Sequence, residues 1–464
     1  MIDFKHIEGI YFVGIGGIGM SALALYFAKG GFSIAGYDRS ETVISDSLIK
    51  NGCTVTYIDE INYLPRLFSN PSDKNKVIIV YTPAIPVENK ILSYFRNNGY
   101  QIYKRSEILG EISKNTDTLA VAGTHGKTTV STMTAHLLKQ SHIDCSGFLG
   151  GISKNYDSNL LIGNSRYTVM EADEFDRSFH RLSPLMAVVT SLDADHLDIY
   201  GDQKTMIEAY NVFCSKIRPG GSLIVNSSIR KEIIVPEDVT FYTYGLDEDA
   251  DFRSYGIIHE KDFYRFSIKT PSAKIEDLHF AFPGIINIEN FTAAIAMALL
   301  CGVTEPEIRK AVLLFQGVKR RFDIRINIPG LAFVDDYAHH PEEIRACIKC
   351  VKEFFAGRRI TGIFQPHLFS RTRDHASGFA KILDELDEVI LLPVYPAREK
   401  PIEGVTSELI FNKMQSGNKR MLMKEDIPGK LDSYKMDVLV TIGAGDIDTL
   451  VNPIEEKLRR ERIR

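Results

Sequence analysis

The residues best suited to chemistry lie in short polar clusters that follow apolar runs. Gly123-Thr124-His125-Gly126-Lys127-Thr128-Thr129 follows Leu119-Ala120-Val121-Ala122. In such a turn the backbone amides can cradle phosphates, Lys127 can reach the β- and γ-oxygens, and the Thr128 hydroxyl can ligate Mg²⁺. Only Thr124 and His125 separate the glycines, fewer residues than in the standard phosphate loop, so a glycine-rich turn without a ligand remains the plainer alternative. A second turn, Gly14-Ile15-Gly16-Gly17-Ile18-Gly19, follows Ile10-Tyr11-Phe12-Val13. Its spacing lets the backbone approach a pyrophosphate, whose charge the first amides of a helix over Met20–Lys29 would solvate. Asp38, closing the run Ile34–Tyr37, can accept hydrogen bonds from a ribose or a base. The pattern indicates a nucleotide diphosphate without saying which, and a tight turn that binds nothing stays open.

Four further clusters repeat this form. Tyr167–Met170 ends in Glu171-Ala172-Asp173-Glu174, and a carboxylate beside a phosphate turn is where a nucleotide-bound Mg²⁺ finds a protein ligand; a solvated acidic loop is the alternative. Asp193-Ala194-Asp195-His196-Leu197-Asp198 follows Ala187–Thr190. A histidine among acids can ligate or orient a second metal, or the acids can simply favour a helix N-terminus. Val334-Asp335-Asp336-Tyr337-Ala338-His339-His340-Pro341 and Phe364-Gln365-Pro366-His367-Leu368-Phe369-Ser370-Arg371 end two more runs with groups that suit an anion. Polar surface loops would read the same way. Cys347 and Cys350 fall within a helical pattern with no second pair to complete a zinc site, so they are expected to be buried helix residues.

These clusters require strands that end where helices begin. Short Val/Ile-rich runs alternate with helical stretches almost throughout, the signature of α/β architecture with parallel sheets. At about 150 residues per domain, 464 residues make about three domains. The expected division is 1–110, 111–319 and 320–464: an N-terminal Rossmann-like domain, a central P-loop ATPase-type domain and a C-terminal Rossmann-like domain. Residues 236–282, with aromatics set among charges, are expected to add antiparallel hairpins to the central domain. Hinges are expected near 107–115 and 320. Hydrophobic residues make up 44% and charged residues 25%, as in ordinary globular proteins. With 55 Lys and Arg against 60 Asp and Glu, the formal charge is −5, which disfavours a nucleic-acid partner. No apolar run reaches the length of a membrane span, the first residues lack a signal-peptide pattern, and six cysteines form no disulfide framework. The expectation is a cytoplasmic enzyme.

Taken together, Gly14–Met20, Gly123–Thr129, Glu171–Phe179, Asp195–Tyr200, Arg320–Phe322, Asp335–Pro341 and Gln365–Arg373 resemble the Mur ligase family, in order along the whole chain. The resemblance implies an ATP-dependent ligase, closest to the branch that adds L-alanine to UDP-N-acetylmuramate through an acyl phosphate, acting as a monomer or weak homodimer. It implies a sugar-nucleotide site at Gly14, Gly16, Gly17, Ile18, Gly19, Met20, Asp38, Thr82 and His125. ATP would lie on Gly123, Thr124, His125, Gly126, Lys127, Thr128 and Thr129, with Asn287 and Asn290 at the adenine. Arg321 and Asp336 would act in catalysis with Lys127, Glu171 and His196. Thr128, Glu171 and His196 would hold one or two Mg²⁺ ions, and Tyr337, His339, His367 and Arg371 would meet the amino acid. Ile286, Ser191 and Leu368 depart from residues common at those positions in the family. A murein-peptide-recycling ligase is the nearest rival reading. A nicotinamide-dependent oxidoreductase is a more distant one, because it gives Lys127, Thr128 and Glu171 nothing to do.

Overall fold

The strands that feed the glycine turns are apolar on both faces. Gly9–Val13, Asp117–Ala122 and Val438–Ile442 are buried at every position, as parallel strands covered on both sides by helices must be. The computed structural model describes residues 2, 4–193, 200–260, 263–397, 399–432 and 436–462. Its strands form three sheets.

The first sheet is wholly parallel, in the order Thr54–Thr56, Ser33–Tyr37, Gly9–Val13, Val77–Tyr81, Gln101–Lys104. The chain reverses its direction of travel across the sheet beside Gly9–Val13, and a ligand crevice opens at such a switch point. In the second sheet Asp117–Ala122 lies between Met186–Val189 and Tyr167–Glu171, all parallel, so the loops after these three strands emerge at one edge. Ser222–Asn226 and Thr240–Gly245 continue the parallel run. Phe252–His259 still joins this run in parallel, and antiparallel pairing on this side begins between it and Tyr264–Lys269 and continues to Lys274–Phe280; at the opposite edge Ser146–Ser153 pairs antiparallel with Ser158–Leu161. The expected hairpins over 236–282 are therefore confined to the part from Phe252. Alternating aromatics and charges report which face of a strand is covered, not the direction of its neighbour. The third sheet places Val438–Ile442 between Leu331–Asp336 and Ile360–Phe364 in parallel, with Asp323–Ile328 as an antiparallel edge.

The chain divides into two compact units: residues 1–282 with 286–316, and 283–285 with 317–464. The expected hinge near 320 falls close to this division. The one near 107–115 does not: it lies in the helix Arg105–Lys114, and Ile108, Leu109 and Ile112 are buried in a core that runs from the first sheet into the second. The Ser-Lys-Asn composition of 113–115 resembles a linker but caps a packed helix. Alternate residues of Gly9–Val13 serve different cores. Ile10 and Phe12 join that shared core, while Tyr11 and Val13 pack with Phe68 and Phe95 in a core private to the first sheet. The helix Ile18–Lys29 makes the junction, with Tyr26 against Phe148 at 5.2 Å and the Asn159 amide donating to the Ile18 carbonyl and to the Ser21 hydroxyl. Cys347 and Cys350 are buried in the helix Pro341–Phe354, and burial pushes both thiols upward, so neither is poised for redox chemistry.

His136 lies fully buried in the helix Lys127–Lys139. Its Nε2–H donates to the Ala311 carbonyl at 2.9 Å, and Nδ1 accepts from the Tyr156 hydroxyl at 3.2 Å, which fixes a neutral ring. Burial lowers it to about 4 from 6.5. The stabilisation is complete above the unfolded value and is lost as pH falls from there toward 4. Between pH 7.5 and 5, His136 should cost the fold about 2 kcal/mol. Denaturant titrations at the two pH values check this, and His136→Gln should flatten the dependence.

Candidate active site

In the first unit, strand Gly9–Val13 turns at Gly14, whose φ of 90° only glycine adopts readily. The amides of Gly14 and Ile15 donate to the Tyr37 carbonyl at 2.7 and 3.0 Å. Asp38 accepts from the Gly16 amide at 2.7 Å and the Arg39 amide at 2.8 Å, so its carboxylate braces the turn. Gly17, Ile18, Gly19, Met20 and Thr82 line a cleft of about 300 Å³ that reaches Glu171 and Asp173 after Tyr167–Glu171. The cleft thus joins the first glycine turn to the acids of the second sheet. Arg105, which the sequence reading missed, also lines it. Its guanidinium lies beside Gly19 at the head of the helix Ile18–Lys29 and pairs with Asp173 at 3.3 Å. A cation and a helix head at one end are features that suit an anion.

The second glycine turn runs from Gly123, φ 134°, to Gly126, φ 81°, and into the helix Lys127–Lys139. The adjoining strand end clamps it. Ser191 accepts from the His125 amide at 2.9 Å and shares a 2.9 Å bond with the Thr124 hydroxyl, while Thr190 donates to the His125 carbonyl. The His125 ring stands 3.7 Å from Asp193. Lys127 donates to the carbonyls of Gly123 at 2.7 Å and Thr124 at 3.3 Å, and to Glu174 at 2.8 Å. Burial opposes its charge, but Glu174, Glu171 and Asp173 together hold it above its ordinary value. Burial raises Glu174 in turn, against the pull of Lys127. Thr128 is buried and Thr129 half-buried in the first turn of the helix. Asn287 and Asn290 are buried on the helix Ile285–Leu300, with Asn290 against Gly126 and hydrogen-bonded to Asn287 at 3.4 Å. Ile286 is 48% exposed.

Glu171 closes its strand beside Gly150, where a Cβ would overlap both of its carboxylate oxygens. His196 lies outside the described residues, as do the neighbouring acids Asp195 and Asp198. Among the described residues no group of three or more His, Cys, Asp or Glu side chains is placed to hold a metal. The hydroxyl of Thr128 and the carboxylate of Glu171 are hard oxygen donors that suit Mg²⁺, provided the remaining ligands come from phosphates.

In the second unit, Arg320 and Phe322 take positive φ values of 63° and 45°, a strained turn held from several sides. Asp336 accepts from the amides of Phe322 at 2.7 Å and Ala338 at 2.8 Å. Burial raises its carboxyl against the pull of Arg321. Asp335 is buried, accepts from the Thr441 hydroxyl at 2.7 Å and pairs with Arg320 at 3.4 Å; burial lifts it to about 6. Arg320 and Arg321 both stack on the Tyr337 ring, at 5.0 and 5.1 Å. His339 lies 5.3 Å from Tyr337 and 5.9 Å from His367 between ring centroids, and His367 stacks on Tyr395 at 5.7 Å. Burial lowers His339, and its Nδ1 sits 3.0 Å from the Tyr337 carbonyl. Nearby, Leu368 has φ 72° at the head of the helix Phe369–Leu383. Arg371 carries a buried Nη1 with no hydrogen-bond acceptor among the described residues. The unit therefore brings Tyr337, His339, His367 and Arg371 to the carboxyl edge of its sheet, a set of donors that suits an anion.

Comparison with known proteins covers the same three sheets. Family models match residues 9–116 (Mur ligase family, catalytic domain), 121–298 (Mur ligase middle domain) and 320–445 (Mur ligase, glutamate ligase domain). The chain is 46% identical to a UDP-N-acetylmuramate–L-alanine ligase of Parabacteroides distasonis over 99% of both chains. It is 47% identical to one of Porphyromonas gingivalis over 97% of this chain and 99% of that one. Among solved structures, a UDP-N-acetylmuramate-alanine ligase from Thermotoga maritima superposes with a TM-score of 0.82 at 25% identity, covering 98% of this chain and 100% of that one. A murein peptide ligase from Psychrobacter arcticus gives 0.71 at 22% identity, over 97% and 98%, and shares the fold.

A methyl group on Gly150 would drive Glu171 from its seat. Gly150→Ala should weaken Mn²⁺ binding in the presence of ADP about tenfold, the usual cost of disturbing a ligand's support, as read by electron paramagnetic resonance.

Proposed function

Since the chain belongs to the Mur ligase family, we propose that it joins L-alanine to the lactyl carboxylate of UDP-N-acetylmuramate, converting ATP to ADP and phosphate. The observation that carries this reading is near-full-length similarity to ligases of that name. The cleft from Gly17–Met20 to Glu171 supports it, because it suits a sugar nucleotide whose pyrophosphate lies at the helix head and whose carboxylate points toward the ATP loop. The product is a peptidoglycan precursor, and a reaction that consumes ATP and a nucleotide sugar belongs in the cytoplasm. No helix among the described residues is long and apolar enough to cross a membrane.

A carboxylate resists attack by an amine because it is anionic and has no leaving group. Transfer of the γ-phosphoryl group of ATP to the lactyl carboxylate gives an acyl phosphate and ADP. The alanine amine then adds to the acyl carbon, and the tetrahedral intermediate expels phosphate as the amide forms. Lys127 is suited to offset charge on the phosphoryl oxygens, and Arg321 is the second unit's candidate for the same work. A Mg²⁺ held by Thr128 and Glu171, with His196 as a further candidate, would supply additional charge screening there. Arg371 pairs with the alanine carboxylate through the nitrogen that has no acceptor among the described residues. Alanine must shed an ammonium proton before it attacks. His339 is suited to accept that proton, since its Nδ1–H is directed to the Tyr337 carbonyl, its Nε2 is left as the basic atom, and burial keeps the ring neutral.

Phosphate release from ATP and Mg²⁺ should require both UDP-N-acetylmuramate and L-alanine and should vanish in Lys127→Ala. A murein tripeptide that replaced L-alanine would assign the chain to recycling instead, and release with no acceptor at all would end the ligase reading. Arg371→Gln should raise KM for alanine at least about tenfold while leaving KM for ATP within about twofold, the pattern of a lost ground-state contact with one substrate.

A further inference from the structure

An ammonium group donates three hydrogen bonds and no more. In this structure Lys127 has three acceptors: the carbonyls of Gly123 and Thr124, and the carboxylate of Glu174. A phosphate oxygen can reach it only if one of them is given up. The two carbonyls belong to a clamped loop. Gly123 is pressed against Thr190, and Thr124 donates its amide to the Ser191 carbonyl at 3.1 Å while its hydroxyl accepts from the Asp193 amide at 3.0 Å. Glu174 comes from another segment. Its backbone is pinned, with its carbonyl accepting from the Tyr200 hydroxyl at 2.6 Å, but its side chain can turn about its own bonds. It is 1% exposed, so the structure has placed a carboxylate out of water where it meets the loop lysine. Glu171, three residues earlier, faces Gly150 and the cleft instead.

We propose that Glu174 is a positioning residue that stands in for the nucleotide's phosphate: it holds Lys127 over the loop before nucleotide binds and yields that hydrogen bond when a phosphate oxygen arrives. The proposal rests on reading Gly123–Thr129 as the ATP site. Two consequences follow from its charge. An arriving nucleotide must displace a carboxylate from Lys127, and a bound nucleotide lies close to a buried anion that takes the lysine back when ADP leaves. Glu174 therefore trades nucleotide affinity for turnover.

Neutralising the side chain separates this role from packing. Glu174→Gln should bind ADP with Mg²⁺ about tenfold more tightly, because the competing charge is gone. KM for ATP and kcat should fall together as ADP release slows. The nucleotide-free variant should melt lower than the wild type, and saturating ADP should raise its melting temperature by more than it raises that of the wild type. Glu174→Asp keeps the charge and should bind ADP within about twofold of the wild type. A residue that served only packing would give variants that bind ADP more weakly, in step with their loss of stability. The proposal is overturned if Glu174→Gln binds ADP as the wild type does or more weakly, or if the Asp and Gln variants behave alike. Wild-type protein that bound no ADP would remove the ATP-site reading and this proposal with it. Wild-type protein that bound ADP but released no phosphate would count against the ligase reading alone, because the affinity test does not depend on turnover.

Discussion

A charge held out of water must keep a partner at every stage of a reaction cycle, because a lost partner deep in a protein costs more than the bond was worth. Much of this molecule's polar architecture answers that demand. Lys127 is satisfied by two carbonyls and Glu174, and Arg320 is ion-paired with Asp335 and donates to the Gly443 carbonyl. Carboxylates also do backbone work: Asp38 pins the first glycine turn through the Gly16 amide, and Asp336 pins the turn at Arg320–Phe322 through two amides. Each loop is thus preshaped before a substrate arrives, so less ordering remains to be done on binding. The loops differ in what they leave open. The first offers a helix head and Arg105 and the second a lysine already in use, while in the second unit Arg371 has a guanidinium nitrogen with no hydrogen-bond acceptor among the described residues.

The backbone of the second unit carries the same logic in its dihedral angles. Arg320, Phe322 and Leu368 sit in the left-handed region although none is glycine or asparagine. Side chains pay to be there unless their surroundings over-determine the conformation. Around Arg320 the surroundings do so: the Tyr337 amide donates to its carbonyl at 2.7 Å, its guanidinium is tied to the Gly443 carbonyl, and Asp336 holds the amide of Phe322. The consecutive guanidinium groups of Arg320 and Arg321 both lie over the Tyr337 ring.

Much of the site was legible in the sequence because it lies at strand ends. An apolar run followed by Gly, or by Asp, Glu and His, locates both the strand and its functional edge, so Gly14–Met20, Gly123–Thr129, Glu171 and Asp335–His339 could be picked out. The roles within a loop were not legible. Glu171, Asp173 and Glu174 share one acidic stretch, yet one faces Gly150, one Arg105 and one Lys127. A loop has no periodicity from which such directions can be read. Arg105 was missed for a related reason: its partner lies 68 residues away, and an arginine at the first position of a helix has no local signature. Thr240–Gly245 departs from the expected hairpin because alternation says nothing of a neighbour's direction.

The core that runs without a break from the first sheet into the second bears on how such a chain can be inherited. Ile10, Phe12 and the buried face of Ile18–Lys29 pack in the same apolar cluster as Phe148, Leu160 and Met170. Interiors this dense tolerate little mismatch in shape. The first sheet is therefore not a cassette that recombination can lift from one relative into another without its counterpart surface. A graft that kept every glycine of the first turn but changed the side chains beneath it would bring together two halves that no longer interdigitate.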